Sequence, residues 1–130
     1  MDGTQNAAHT HIMLVDDDPM IRTLFGDALR DLGYTVSIAH NHDTAIALLE
    51  TQPTPDILVT DADLGDGHSG LDLIEYAQTK FPALPALLIS GHHTNPTHQT
   101  TTLAKPFRLP TLVAAITKLL PDTTKNTEDK

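Results

Sequence analysis

Four short stretches of the chain end in side chains that could do chemistry together. IMLVDDD closes an apolar run at Asp16, Asp17 and Asp18, ILVTDAD closes another at Asp61 and Asp63, LLIS ends at Ser90, and AKPF sets Lys105 before the last apolar-patterned stretch. Carboxylates gathered at one place repel one another. At neutral pH a hard divalent cation such as Mg²⁺, which takes oxygen ligands and keeps some waters, relieves that repulsion. A lysine and a hydroxyl beside such a cation would suit a phosphoryl group.

That chemistry requires elements that end at one edge. His11 to Val15 reads as a strand, and Asp18 followed by Pro19 reads as an N-cap with proline at the first helical position. Met20, Ile21, Leu24, Phe25, Ala28, Leu29 and Leu32 then repeat at helical spacing, and Gly33 supplies a stop. Tyr34 to Ala39 reads as a second strand, and Asn41 as the cap of a helix using Ala45, Leu48 and Leu49, which ends near Pro53 to Pro55. Ile57 to Thr60 is a third strand. Leu71, Ile74, Ala77 and Phe81 mark a helix, Ala86 to Ile89 a fourth strand, and Leu109, Leu112, Val113, Ile116 and Leu120 one side of the last helix. Strands that alternate with helices and are almost continuously apolar imply an α/β fold with a mostly parallel sheet buried on both faces. Ligands of such sheets bind beyond the carboxyl ends of the strands, where these aspartates, the serine and the lysine fall.

The chain of 130 residues suits one domain. Its 17 acids against 8 Lys and Arg, a formal charge of -9, argue against a nucleic-acid partner, because gripping a phosphate backbone takes clustered cations. There is no cysteine, so neither a disulfide framework nor a thiolate metal site can form. The N-terminus lacks a basic start and an apolar core of signal type, and no run is long enough to insert in a membrane. The expectation is a cytoplasmic protein with flexible tails at residues 1–10 and 121–130 around one domain at 11–120.

IMLVDDDPMIR, ILVTDADLGDGHSGLDLI, LLIS and AKPF, in that order, resemble the successive motifs of response regulator receiver domains, over roughly residues 11–120. The resemblance implies a flavodoxin-like (CheY-like) doubly wound sheet of five parallel strands in the order 2-1-3-4-5. It implies a stand-alone response regulator of a two-component phosphorelay, a signalling protein rather than an enzyme. A histidine kinase or histidine phosphotransferase would give Asp61 its phosphoryl group, and the output would be altered binding to an unknown downstream protein. On the same resemblance, Asp16, Asp17 and Asp61 hold Mg²⁺, with Asp17 a direct ligand and Asp63 adding its backbone carbonyl. Lys105 pairs with the phosphoryl group, the Lys105–Pro106 bond is often cis, and the Ser90 hydroxyl moves to the phosphate. Asp63 and His92 match positions that flank the phosphoryl group and affect how fast water removes it.

Other readings have to be weighed. ILVTDADL also looks like the signature of haloacid dehalogenase-type phosphatases, with Asp61 as nucleophile and Asp63 as general acid. Such enzymes place that strand early and their Mg²⁺-binding acids after the lysine, the reverse of the order here. A receiver could instead act as a phosphate sink or a phosphorylation-independent adaptor, but the complete set of Asp, Ser and Lys residues favours phosphorylation. Asp18 is more simply a cap than a metal ligand. GDGHSG is more simply a turn needing positive φ than a phosphate loop, and it departs from the family in placing Gly65 where proline is common, with one extra residue before Gly70. His92, His93 and His98, and His9 with His11, lack the spacing of a zinc site.

The largest departure lies between Ser90 and Lys105. Gly91 to Thr102 carries no apolar side chain, and a helix of about 11 residues plus a strand of about 5 would overfill the gap. The expectation is therefore that the family's fourth helix is missing or replaced by a loop, because nothing here could bury a face. Thr102 also stands where an aromatic residue often reports the switch. Loss of that helix would leave apolar parts of strands four and five uncovered, a surface suited to a partner or a homodimer.

Overall fold

The computed structural model describes residues 10–65, 67–91 and 100–120. In chain order the elements are β1 (His11–Val15), α1 (Pro19–Asp31), β2 (Thr35–Ala39), α2 (His42–Thr51), β3 (Ile57–Asp61), α3 (Gly70–Lys80), β4 (Ala86–Ser90), β5 (Thr100–Ala104) and α4 (Leu109–Leu119). The strands form one parallel sheet in the order β2-β1-β3-β4-β5, the doubly wound order expected.

The helices start where local chemistry asks them to. Asp18 accepts the amide of Met20 at 2.9 Å, Asn41 that of Thr44 at 2.8 Å, and Ser69 that of Asp72 at 3.1 Å, with the Asp72 carboxylate accepting the Ser69 amide in return. Each satisfies an amide that the first turn leaves without a helical partner. At the other end of α1, Gly33 takes a φ of 104° and the Tyr34 amide bonds back to Leu29. Tyr34 thus closes the helix and β2 begins at Thr35, one residue later than the apolar pattern suggested.

Each face of the sheet carries its own core. Met13, Val15, Leu58, Ala86 and Leu88 pack with Ala45 and Leu49 of α2 and with Leu73, Ile74 and Ala77 of α3. Ile12, Leu14, Val59, Leu87 and Ile89 pack with Phe25 and Leu29 of α1 and with Leu112 and Ile116 of α4. The alternation within each strand divides its side chains between the two layers. Met20 and Leu24 share the apolar spacing of α1 yet remain 77% and 62% exposed, so only part of that stripe is core.

Four helices lie among the described residues, and residues 91–99 join β4 to β5. The expected loss of the fourth helix falls mostly on residues 92–99, which lie outside those described, as do both expected tails apart from Thr10. Thr100, Thr101 and Thr102 belong to β5, since β-branched threonines suit a pleated strand even where apolar residues are lacking. One expectation is corrected: β4 is not uncovered but buried throughout, between α3 and α4, and the α3-side face of β5 presents Thr100, Thr102 and Ala104.

Candidate functional site

The sheet register brings the strand ends to one edge: Val15 lies beside Thr60, Asp61 beside Ile89, and Ser90 beside Ala104. The residue after each end is then committed by backbone bonds. The Asp16 amide bonds to the Ala39 carbonyl at 3.2 Å, that of Ala62 to Ile89 at 2.8 Å, and that of Lys105 to Ser90 at 2.9 Å. These bonds carry the sheet ladder one step past each strand.

Asp16 is buried, and its carboxylate accepts the Asp18 amide at 2.9 Å. Asp17, next along the chain, is exposed. Asp61, 5% exposed, receives the Lys105 Nζ at 2.7 Å. Asp16, Asp17 and Asp61 each offer a carboxylate oxygen within 4.8 Å of the others. Burial pushes the Asp16 carboxyl up to about 6; the Asp61 and Asp17 charges push the same way, while the Asp18 amide and Lys105 oppose them. The hydrogen bond to Asp61 holds the Lys105 ammonium above its ordinary value, helped by the charges of Asp61, Asp16 and Asp17 and opposed by partial burial.

Three carboxylates therefore face one ammonium. The site is short of positive charge, all its anionic donors are oxygens, and it opens to solvent at Asp17, which are the features a hard divalent cation requires. The residues present fit Mg²⁺.

These groups line a cavity of about 500 Å³ whose other walls are Asp18, Ile21, Leu24, Phe25, Ile89, Pro106 and Phe107. Phe107 stacks on Phe25 with ring centroids 5.2 Å apart, anchoring the segment just after the cis Lys105–Pro106 bond to α1. With the Lys105 amide tied to Ser90 on one side and Phe107 fixed on the other, the lysine is held toward Asp61.

Ser90 ends β4 in a buried position, one residue past the partner of Asp61, and its carbonyl holds the Lys105 amide. Asp63 sits outside the three-carboxylate set. It forms an isolated antiparallel bridge with Ser69, and its own carboxylate accepts the Gly65 amide at 3.0 Å. That carboxylate shapes the turn, a poor fit to the general acid of the phosphatase reading. Gly65 and Gly67 have φ of 77° and 87°, so GDGHSG is a turn, as expected. His92 lies outside the described residues, as do His9, His93 and His98, while His11 pairs with the Ser37 hydroxyl at 2.6 Å.

Sequence reasoning missed two supports. Arg22 donates to the Asp16 carbonyl at 2.8 Å, tying α1 to the β1 end. Gly70 is needed for closeness: a Cβ there would collide with the Asp61 carbonyl oxygen, and its amide bonds Ala62 at 2.8 Å. The Gly70 signal was visible in HSGLDLI as a glycine at a helix start, but its reason lies across the fold.

Residues 12–117 match the response regulator receiver domain family. A response regulator receiver protein from Sinorhizobium medicae WSM419 superposes with a TM-score of 0.77 at 28% identity, over 85% of this chain and 93% of that one. A putative NtrX-like response regulator of Rickettsia felis is 30% identical over 83 residues, 64% of this chain and 18% of that protein. The response regulator PilR of Pseudomonas aeruginosa is 38% identical over 80 residues, 62% of this chain and again 18% of the relative. The chain thus spans under a fifth of the length of these two regulators. Receiver domains are signalling modules of phosphorelays, interact with histidine kinases or phosphotransferases, and generally bind Mg²⁺ through acidic residues. Strand order, the acids at the strand ends and a match across most of the sequence agree on one assignment: the chain belongs to the response regulator receiver domain family.

Proposed function

We propose that residues 11–120 act as a phosphoryl-accepting receiver whose acceptor is Asp61. A carboxylate oxygen of Asp61 attacks phosphorus in a phosphohistidine of the donor protein. The new O–P bond forms as the P–N bond breaks, and the electron pair returns to the imidazole. Asp16, Asp17 and Asp61, with the Asp63 backbone carbonyl, would hold Mg²⁺. When bound, the ion supplies charge neutralisation for the transferring phosphoryl oxygens. Lys105 orients the Asp61 carboxylate beforehand and pairs with a phosphoryl oxygen afterwards. The Ser90 hydroxyl then turns toward the phosphate, and the shift changes the surface offered to a protein target, in the cytoplasm.

The observation that carries this reading is the 2.7 Å contact between Lys105 and the buried Asp61 at the edge of a three-carboxylate cluster. It is tested with Mg²⁺ and a small phosphodonor or beryllofluoride. Wild type is expected to take up one equivalent and Asp61→Ala none. Equal uptake by the alanine variant would show that the acceptor lies elsewhere.

A further inference from the structure

The fold builds a second group of metal-ligating side chains that phosphoryl acceptance does not use. His42 and Asp43 open α2, and His68 lies in the turn between β3 and α3, in the sequence HSG that leads into Ser69. The imidazoles of His42 and His68 stack face to face, centroids 3.9 Å apart and planes inclined by 11°. His42 Nδ1 lies 3.5 Å from the nearest Asp43 carboxylate oxygen, and the three side chains each offer a ligand atom within 4.8 Å of the others.

We propose that His42, Asp43 and His68 form a binding site for a borderline divalent transition metal, with Zn²⁺ the best fit, separate from the carboxylate site at Asp61. Two imidazole nitrogens and one carboxylate oxygen, with water as the fourth ligand, make a tetrahedral set that hard cations bind poorly and Zn²⁺ binds well. Donor atoms around such an ion stand about 3.3 Å apart for metal–ligand bonds of about 2.0–2.1 Å. A modest closing of the present spacing reaches that value. Parallel rings send their in-plane lone pairs side by side, so the stack has to open like a book for both nitrogens to converge on one ion. His68 is exposed and the Asp43 side chain is 88% exposed, so both have room to swing around the more enclosed His42. The formal charge of -9 favours capture of a cation over the whole surface.

A metal held there links the start of α2 to the turn between β3 and α3. Gly65 of that turn lies so close to Asp17 that an added Cβ would fall 2.7 Å from its carboxylate oxygen. The clamp would therefore fasten the turn that borders the carboxylate site.

The test is calorimetric titration of Zn²⁺ into the full chain with Mg²⁺ in excess, comparing wild type, His68→Ala and Asp17→Asn. Far-ultraviolet circular dichroism checks that each variant is folded. The expected result is that His68→Ala weakens the tightest Zn²⁺ step about tenfold or more while Asp17→Asn keeps it. Co²⁺ should likewise give the visible absorption of a tetrahedral centre in wild type and lose it in His68→Ala. Undiminished Zn²⁺ affinity in His68→Ala, or loss of the step in Asp17→Asn, would overturn the proposal. It stands apart from the assignment of Asp61, so Asp61→Ala can fail its own test without touching it.

Discussion

Asp16 shows how burial and neighbouring charge make one residue both a cost to the fold and an asset to the site. Its carboxyl is raised from 3.8 to about 6, so the folded state holds the proton more tightly than the unfolded chain does. Ionised Asp16 thus opposes folding at neutral pH. That opposition fades as pH falls through about 6 and is gone below 3.8. Asp16→Asn keeps an oxygen for the Asp18 amide and should raise the melting temperature by a few degrees near neutral pH in a metal chelator. The gain should shrink as pH falls through that window, and a gain that is flat with pH would refute the argument. At Lys105 the opposite charge is removed: Lys105→Met leaves three carboxylates without their ammonium. Mg²⁺ affinity should then rise, while beryllofluoride uptake weakens by about tenfold or more, because a charge-assisted hydrogen bond to the captured group is lost. Metal titration and a beryllofluoride binding curve read the two effects separately.

Among the elements, α3 is the one placed by sterics. Its first residue, Gly70, touches the carbonyl of Asp61, so the helix and β3 meet backbone to backbone. Gly70→Ala should destabilise the fold by about 2–3 kcal/mol, since the obstacle is main chain that cannot rotate away. A methyl group added at Gly91 would meet nothing within 4 Å among the described residues, and Gly91→Ala should stay within about 0.5 kcal/mol of wild type. Urea denaturation of the two variants side by side distinguishes crowding from a general dislike of alanine. The strand β5 shows the limits of reading elements from hydropathy. Thr100 to Thr102 carry no apolar signal, yet they pair along β4 at the sheet edge, where one face is covered by α4 and the other needs no apolar side chain.

For the whole molecule, the most exposed large apolar side chains among the described residues lie on α1. They are Met20 and Leu24, the latter forming part of the cavity wall beside Asp61. If Asp61 is the acceptor, as proposed, a phosphodonor protein reaching it would pass this face. Met20→Asp should slow phosphotransfer from a cognate histidine kinase or phosphotransferase about tenfold, as loss of one apolar anchor does at an interface. Acceptance from a small phosphodonor should remain at the wild-type level, because Met20 does not line the cavity and aspartate suits the first turn of a helix. Equal slowing with both donors would place the effect in the site and not in docking.

Local pattern was enough for much of this. Period, caps and apolar strands are short-range properties, so IMLVDDDP, NHDTAIALL and ILVTD announced their strands and helices, and the order of acids, serine and lysine announced the edge where they meet. The same order carried the resemblance that the family match supports. Tertiary structure alone decided which groups touch. It set Lys105 against Asp61, gave the Asp16 carbonyl to Arg22, made Gly70 indispensable, turned polar threonines into an edge strand and stacked His42 on His68. Each of those contacts joins residues whose separation is set by how the whole sheet and its helices pack, and no window of neighbouring residues contains that distance.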